Sequence, residues 1–152
     1  MGFLSEDYES EFKAPLDPNN SDEIIKLIEE KLIKYVVAFL NGNGGSIFFG
    51  IDNNRIVKGL TLNYKQKDEV LQKINSKIND RITPKVSLDY FFVKWHSVKQ
   101  RDEGEIKDCY VLEITVKKPY DPMAIYFDCG KTLYIKTSSG IQKYNKPYED
   151  DV

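Results

Sequence analysis

The stretch NGNGGSIFFGID, residues 41–52, decides the fold because it joins a helical pattern to a strand. Its glycines let the backbone turn sharply or approach a neighbour or a ligand closely. They do not form a phosphate-binding P-loop, since no GK[ST] follows and the helix precedes the strand. The short apolar run 46–51 is typical of a strand buried on both faces. Taken alone, residues 41–45 favour a plain connection between helix and strand.

The sequence on both sides of this stretch predicts two helices and several strands. Upstream, residues 8–13 alternate between apolar and charged side chains, which indicates a strand. Over residues 22–40, apolar positions recur every three or four residues, which predicts a helix with one face in the core, capped by Asn20 or Ser21.

Downstream we expect a second helix at 66–80, strands at 56–60, 86–98, 110–116, 124–127 and 132–136, and a hairpin loop at 100–107. Hairpins dominate this second half. The sequence therefore predicts an α+β fold with a mixed, mainly antiparallel sheet and two main helices.

Length and composition indicate one soluble domain. The chain has 152 residues, 41% hydrophobic and 30% charged, which suits a single core. We expect a domain over residues 1–148 and an acidic tail at 149–152. The two cysteines match no CxxC pattern and the start has no signal-peptide pattern, so we expect a cytoplasmic protein, with the nucleus as the alternative. The longest apolar run, 35–40, is too short to span a bilayer, and no membrane association is expected.

Charge is distributed unevenly along the chain. Residues 1–30 carry a net charge of −7 and residues 31–148 a net charge of +8, within a total of −2. An acidic start beside a basic body is compatible with a cation site in a surface that attracts phosphates. Two ordinary solvated faces would give the same pattern, and charge alone favours that interpretation.

Asp52 is the carboxylate whose position suggests chemistry most directly. It follows the buried run 47–51, and a carboxylate at the end of a strand can help to hold Mg²⁺ with positions open for water and phosphate. Asp is also a favoured first residue of a turn, and spacing alone favours that role. His96, Cys109 and Cys129 match no zinc-finger spacing, so no zinc site is expected.

Three blocks of sequence resemble one known family. Residues 6–13, EDYESEFK, are similar to the E-x-x-x-x-E-F-K opening of the Schlafen core, the AlbA-type domain. Residues 37–52 resemble its A-F-x-N-x-x-G-G-x-L-F-x-G-V-D motif, and Lys58-Gly59-Leu60 continues that block in register. Residues 133–139 resemble the family's Y-x-R-x-G-S-S-T more weakly. The resemblance spans nearly the whole chain and implies a single lobe of the Schlafen fold.

This resemblance also implies a nuclease site. In Schlafen nucleases two glutamates of the opening motif and the aspartate after G-V form a three-carboxylate centre, which corresponds to Glu6, Glu11 and Asp52. Family members cleave structured RNA, such as transfer RNA or small-RNA precursors, with a divalent metal. The resemblance therefore predicts an endoribonuclease that uses Mg²⁺ or Mn²⁺. Lys13 stands beside Glu11 and is expected to neutralise charge on the phosphate in the transition state.

Basic side chains along the chain are expected to hold RNA phosphates without reading sequence. The candidates are Lys13, Arg55, Lys58, Lys94, Lys117, Lys118 and Lys136. Two other functions stay open, because some bacterial members of the family keep the fold without a demonstrated nuclease role. These are a non-catalytic nucleic-acid-binding module and a regulatory or partner subunit of the same fold.

Schlafen nuclease cores often carry two lobes that clamp RNA, whereas this sequence contains one. The resemblance therefore predicts a homodimer, or a heterodimer with a related lobe. The aromatic residues Tyr90, Phe91, Phe92 and Trp95 suit a face shared between two subunits, where aromatic side chains concentrate. They would equally suit a strand that covers the domain's own helices.

Overall fold

The computed structural model describes residues 9–138 and 140–145. Within these ranges the chain forms two long helices, α1 at Ser21–Leu40 and α2 at Tyr64–Arg81, and a short 3-10 helix at Leu88–Tyr90. The strands are β1 Ser10–Lys13, β2 Gly45–Phe49, β3 Leu60–Thr61, β4 Ile82–Thr83, β5 Phe91–Gln100, β6 Gly104–Val116, β7 Phe127–Asp128, β8 Thr132–Thr137 and β9 Gly140–Asn145. Glu6, the predicted strand start at residue 8 and the tail 149–152 lie outside the described residues.

Capping side chains fix where both helices begin. The Asn20 side chain accepts a hydrogen bond from the Glu23 backbone N–H at 3.2 Å, which satisfies one free donor of α1. At α2, Asn63 and Gln66 form a capping box in which each side chain accepts from the other backbone N–H at 2.8 Å. The helix predicted at 22–40 is confirmed, and this capping box starts α2 two residues earlier than predicted.

The strands form two sheets. In the first, β1 pairs in parallel with β2, and β2, β3 and β5 all pair antiparallel with β6. Strands β2 and β5 both pair with Leu112 of β6, so they lie on opposite edges of that strand. The second sheet has the order β4-β7-β8-β9 and is antiparallel throughout. This arrangement confirms the α+β class and the mainly antiparallel pairing.

Helix α1 contacts strands of both sheets as well as α2. Its last six residues, 35–40, are all buried. The spacing of apolar residues predicted that α1 buries only one face. Its C-terminal end is instead buried on every face, because both sheets and α2 contact this helix. Among the described residues, no helix is both long enough and apolar enough to cross a membrane.

The two faces of the first sheet have different surroundings. Ile47 of β2 belongs to the main core with α1, whereas Phe48 belongs to a smaller cluster on the other face. Register pairs Glu11 with Ile47 and Phe12 with Phe48, and successive strand side chains alternate between faces. The rings of Phe12 and Phe48 stack with centroids 5.5 Å apart. Glu11 therefore points to the α1 side of the sheet.

Two predicted boundaries around β5 are wrong. The strand predicted at 86–98 begins only at Phe91, because Ser87 caps the 3-10 helix that precedes it. The Ser87 hydroxyl accepts a hydrogen bond from the Asp89 N–H at 3.2 Å. The loop predicted at 100–107 shrinks to 101–103, since β6 already begins at Gly104 and pairs with the end of β5.

Two further strand predictions are wrong because the backbone bonds elsewhere. At 56–60 the regular strand is only Leu60–Thr61, since the N–H groups of Lys58 and Gly59 both donate to Gly50 O. At 124–127 the strand starts only at Phe127. The backbone N–H and C=O of Tyr126 are both hydrogen-bonded to the side chain of Asn41, the residue that caps the C-terminal end of α1. Strands β4 and β9 were not predicted.

Candidate functional site

Glu11 lies among cationic and aromatic side chains from three elements. Its Oε1 is 3.7 Å from Lys13 Nζ on the same strand, and its Oε2 is 3.6 Å from Lys136 Nζ on β8. The ring of Tyr35, on α1, lies at the same place, with its centroid 5.2 Å from Lys13 Nζ. Strand β1, helix α1 and the second sheet therefore meet at this carboxylate.

Tyr35 is held in its neutral form at this point. Burial raises the pKa of Tyr35 to about 12, and the negative charge of Glu11 acts in the same direction. The pKa of the neighbouring Lys34 ammonium group is lowered, first by burial and then by the charges of Lys31 and Lys13. At neutral pH the Tyr35 side chain is therefore uncharged.

Glu9 is a second carboxylate at the same place, and the sequence comparison did not select it. Its Oε1 lies 4.0 Å from Lys136 Nζ, beyond hydrogen-bond distance, and this buried oxygen has no hydrogen-bond partner among the described residues. The alternation of side chains predicted for residues 8–13 already put Glu9 and Glu11 on one face. One lysine therefore stands between two carboxylates.

A small cavity adjoins Glu9. Its volume is about 70 Å³, which is room for a water molecule or an ion. It is lined by Glu9, Ala38, Phe39, Gly42, Asn43, Gly44 and Lys136. The glycine-containing loop after α1 thus forms one wall of the site, and the two charged side chains face it.

Glycine is required in this loop for close packing. Gly44 has φ +83°, and a Cβ there would lie 2.6 Å from Val116 O and 3.0 Å from Lys118 N. At Gly45, a Cβ would lie 2.7 Å from both the Glu9 Cβ and the Phe39 ring. These two glycines belong to the motif for which the sequence suggested a close approach to a ligand. In the structure they allow β1, α1 and the end of β6 to pack closely.

Asp52 is engaged in its own turn. Its Oδ1 accepts hydrogen bonds from Asn54 N–H at 2.9 Å and Ile56 N–H at 3.0 Å. Its Oδ2 lies 3.9 Å from Lys58 Nζ. This is the turn role that spacing alone favoured. The partner of Glu11 across the β1–β2 ladder is Ile47, five residues before Asp52 in sequence.

The three-carboxylate centre stays a prediction, because Glu6 lies outside the described residues. Within residues 9–138 and 140–145, no group of three or more His, Cys, Asp and Glu side chains is placed to hold a metal ion. The described part of the site contributes Glu11 and, in addition, Glu9.

The predicted phosphate-binding side chains fall into three places. Lys13 and Lys136 stand at Glu11. Arg55 and Lys58 belong to the Asp52 turn, where the Arg55 guanidinium lies 5.6 Å from the Phe12 ring centroid. Lys94, Lys117 and Lys118 are exposed on β5 and just after β6. Their role in RNA binding stays a prediction.

The remaining candidates make contacts in different parts of the fold. His96 Nε2 lies 2.7 Å from Glu113 Oε1 across the β5–β6 pair. Cys109 is buried on β6, and burial raises the pKa of its thiol. Cys129 is exposed in the turn after β7, where its Sγ accepts a hydrogen bond from Arg81 Nε at 3.1 Å.

Three of the four aromatic residues considered for a subunit interface cover the domain's own core. Tyr90, Phe91 and Trp95 pack against the main hydrophobic cluster. Phe92 points the other way and is 48% exposed. The aromatic composition of this strand therefore carries little weight for a dimer, which stays a prediction.

Comparison with known proteins relates this fold to one family. The model of the family described as Schlafen, AlbA_2 matches residues 6–145. Among solved structures, the DIP2311 protein of Corynebacterium diphtheriae is similar, with a TM-score of 0.50 and 18% sequence identity. The match covers 93% of this chain and 23% of that protein. At this identity the likeness concerns the fold alone.

Proposed function

The chain belongs to the Schlafen, AlbA_2 family, and we propose that it acts as a metal-dependent endoribonuclease on structured RNA. Membership of this family suggests a function connected with nucleic acids. The proposal goes further and takes transfer RNA or a small-RNA precursor as the substrate. It names Glu11 as the central residue of the site.

The observation that carries the proposal is the pair of carboxylates around one lysine. Lys136 Nζ lies 3.6 Å from Glu11 and 4.0 Å from Glu9, and Lys13 pairs with the other oxygen of Glu11, so Glu9 shares its lysine with Glu11. Like charges held together favour binding of a further cation. The Glu9 Oε1 has no hydrogen-bond partner among the described residues, and carboxylate oxygens are the ligands that Mg²⁺ and Mn²⁺ prefer.

The donor set therefore fits a hard divalent cation. Glu6, Glu11 and Asp52 are the proposed ligands, and we add Glu9 because it shares Lys136 with Glu11. For Asp52 the available oxygen is Oδ2, because Oδ1 already accepts two backbone hydrogen bonds. These residues would hold Mg²⁺ or Mn²⁺, which would supply polarisation of the scissile phosphate and activation of a water or hydroxyl nucleophile.

The surrounding side chains would orient the substrate. Lys13 and Lys136 are ion-paired with Glu11 and are within side-chain reach of a phosphate held at that carboxylate. Their ammonium groups neutralise charge that develops on the phosphate oxygens. Burial and the charge of Glu11 raise the pKa of Tyr35 to about 12, so this side chain stays neutral beside the charged groups.

Cleavage of transfer RNA, with and without Mn²⁺, tests the proposal. We expect Glu11→Gln to lower the metal-dependent rate by more than about 100-fold, since even outer-shell changes at metal sites cost about 10–100-fold. The matched control is Glu29→Gln, which removes another ion-paired glutamate, 3.8 Å from Lys73 of α2. Wild-type cleavage by a folded Glu11→Gln protein would rule out the proposed site.

A non-catalytic nucleic-acid-binding module is the second candidate, and two contacts favour it. Both Glu11 oxygens are already ion-paired with lysines. Asp52 Oδ1 is occupied by its own turn. A module of this kind would bind the same RNA with an affinity that falls as salt rises, and would leave it intact in Mg²⁺ or Mn²⁺.

A further inference from the structure

Tyr90 fixes the chain that leaves β6 against the start of β5. Its backbone carbonyl accepts a hydrogen bond from Lys117 N–H at 2.7 Å, and its hydroxyl accepts one from Tyr120 N–H at 3.2 Å. The rings of Tyr90 and Tyr120 meet edge to face, with centroids 5.5 Å apart. Because Tyr90 packs against the main core, the position of Tyr120 is set from inside the domain.

Two aromatic rings are exposed at this end of the first sheet. Tyr120 is 77% exposed and Phe92 is 48% exposed. Lys117 Nζ lies 5.2 Å from the Phe92 ring centroid, and Lys118 beside it is exposed as well. We call the side chains of Phe92, Lys117, Lys118 and Tyr120 the edge strip. Rings flanked by ammonium groups offer stacking surfaces for bases and positive charge for phosphates.

The charged side chains of the edge strip itself, Lys117 and Lys118, are both positive and favour an anionic partner. Besides the two lysines of the strip, Lys94 on β5 is exposed. The cross-strand partner of Lys94 is Glu113, whose side chain is half-buried in the sheet. Asp121 follows the strip in sequence, and its Oδ1 accepts a hydrogen bond from Met123 N–H at 2.9 Å. Asp89, which precedes Tyr90, is a third carboxylate here and is exposed, so three exposed ammonium groups stand against three carboxylates, of which Glu113 is half-buried.

The edge strip adjoins the candidate site through the loop after α1. A Cβ on Gly44 would lie 3.3 Å from the Lys117 carbonyl carbon and 3.0 Å from Lys118 N, so the two backbones touch. The same loop lines the cavity beside Glu9 and Lys136. The edge strip and the candidate site therefore contact the same loop, with Phe92 on the face of the first sheet opposite to Glu11.

We propose that the edge strip binds an unpaired segment of the RNA substrate, with bases stacked on Tyr120 and Phe92 and phosphates held by Lys117 and Lys118. This inference rests on the proposed nucleic-acid function and specifies that this surface binds single-stranded rather than duplex RNA. Stacking on flat rings is tolerant of sequence, and it requires bases that are free of a duplex.

Binding to a fluorescein-labelled oligouridine tests the proposal, measured by anisotropy in EDTA so that no cleavage interferes. We expect Tyr120→Ala to weaken binding about tenfold, since loss of one stacking ring costs about 1–3 kcal/mol per base. Tyr120→Phe keeps the ring and should bind as the wild type does. The matched control is Tyr64→Ala, because Tyr64 is 78% exposed and begins α2, just after β3, which pairs with the middle of β6.

A second measurement separates stacking from charge. Lys117→Gln should lower the slope of log affinity against log salt by about 0.7, the value for one phosphate contact on a single strand. A labelled duplex of the same length should lose little affinity in Tyr120→Ala. Equal loss for duplex and single strand, or wild-type binding of the single strand by Tyr120→Ala, would overturn the proposal.

Two further outcomes are decisive. If light scattering shows that Tyr120→Ala changes the oligomeric state, the strip is an interface between copies of the chain and the proposal is wrong. Failure of the nuclease proposal is separate, because it is read from cleavage by Glu11→Gln. Loss of single-strand binding in Tyr120→Ala supports the edge strip whether or not the RNA is cut.

Discussion

Replacing Asn41 with alanine tests how the end of α1 is held to the second sheet. Asn41 Nδ2 donates to Tyr126 O at 3.0 Å and to Tyr134 O at 3.1 Å, and its Oδ1 accepts from Tyr126 N–H at 2.8 Å. Each such bond contributes about 1 kcal/mol net, and a buried partner left unpaired costs about 1–3 kcal/mol. Three lost bonds therefore predict a decrease of at least about 3 kcal/mol in the free energy of unfolding.

Urea denaturation followed by circular dichroism measures this loss. For a domain of this size, about 3 kcal/mol corresponds to a fall in Tm of about 6–12 °C. Asn43→Ala is the matched control, since Asn43 is exposed in the same loop and surface changes usually stay within about 0.5 kcal/mol. A loss below about 1 kcal/mol in Asn41→Ala, with an unchanged m-value, would refute this account of the contact between helix and sheet.

Three other predictions follow from single contacts. Burial and Glu11 raise the pKa of Tyr35 from 10.0 to about 12, so the unfolded chain ionises first and stability should fall as pH rises between these values. Urea titrations over that range should show a shallower fall for Tyr35→Phe, and an equal fall would contradict the assignment. Arg81 donates from Nε and Nη2 to the two oxygens of Asp128, at 2.9 Å and 3.0 Å. Arg81→Lys should therefore cost about 1–2 kcal/mol by thermal unfolding, whereas an unchanged Tm would show that one ammonium group suffices. Asp52→Asn keeps an oxygen that can accept the hydrogen bonds of the turn, so it should abolish cleavage without weakening RNA binding. Cleavage at the wild-type rate would show that Asp52 has only a structural role in the turn.

The helices were predictable because their signals are local. Apolar spacing over 22–40 and a cap at Asn20 lie within the segment that they shape. Strands were predicted less well where a distant group decides the bonding. Tyr126 lies in an apolar run that looks like a strand, yet its backbone bonds to Asn41, far away in sequence. Strand β9, GIQKYN, mixes polar and apolar residues without clear alternation, so the sequence gives no clear indication that it pairs with β8.

The candidate site was predictable only in part, for the same reason. Family motifs selected Glu11, and alternation in β1 put Glu9 on its face. The contact of both with Lys136 depends on how the second sheet docks, which no local pattern encodes. Spacing favoured a turn role for Asp52, and its hydrogen bonds to Asn54 and Ile56 agree with that preference.

Lys136 also makes the site depend on the order in which the chain is synthesised. Glu9 and Glu11 leave the ribosome early, whereas the ammonium group between them belongs to β8, near the other end of the described chain. Until that strand has docked, the two carboxylates repel each other with only Lys13 beside them. A nascent chain that has not yet made β8 therefore lacks the site's charge balance, which is complete only once the second sheet has docked against α1.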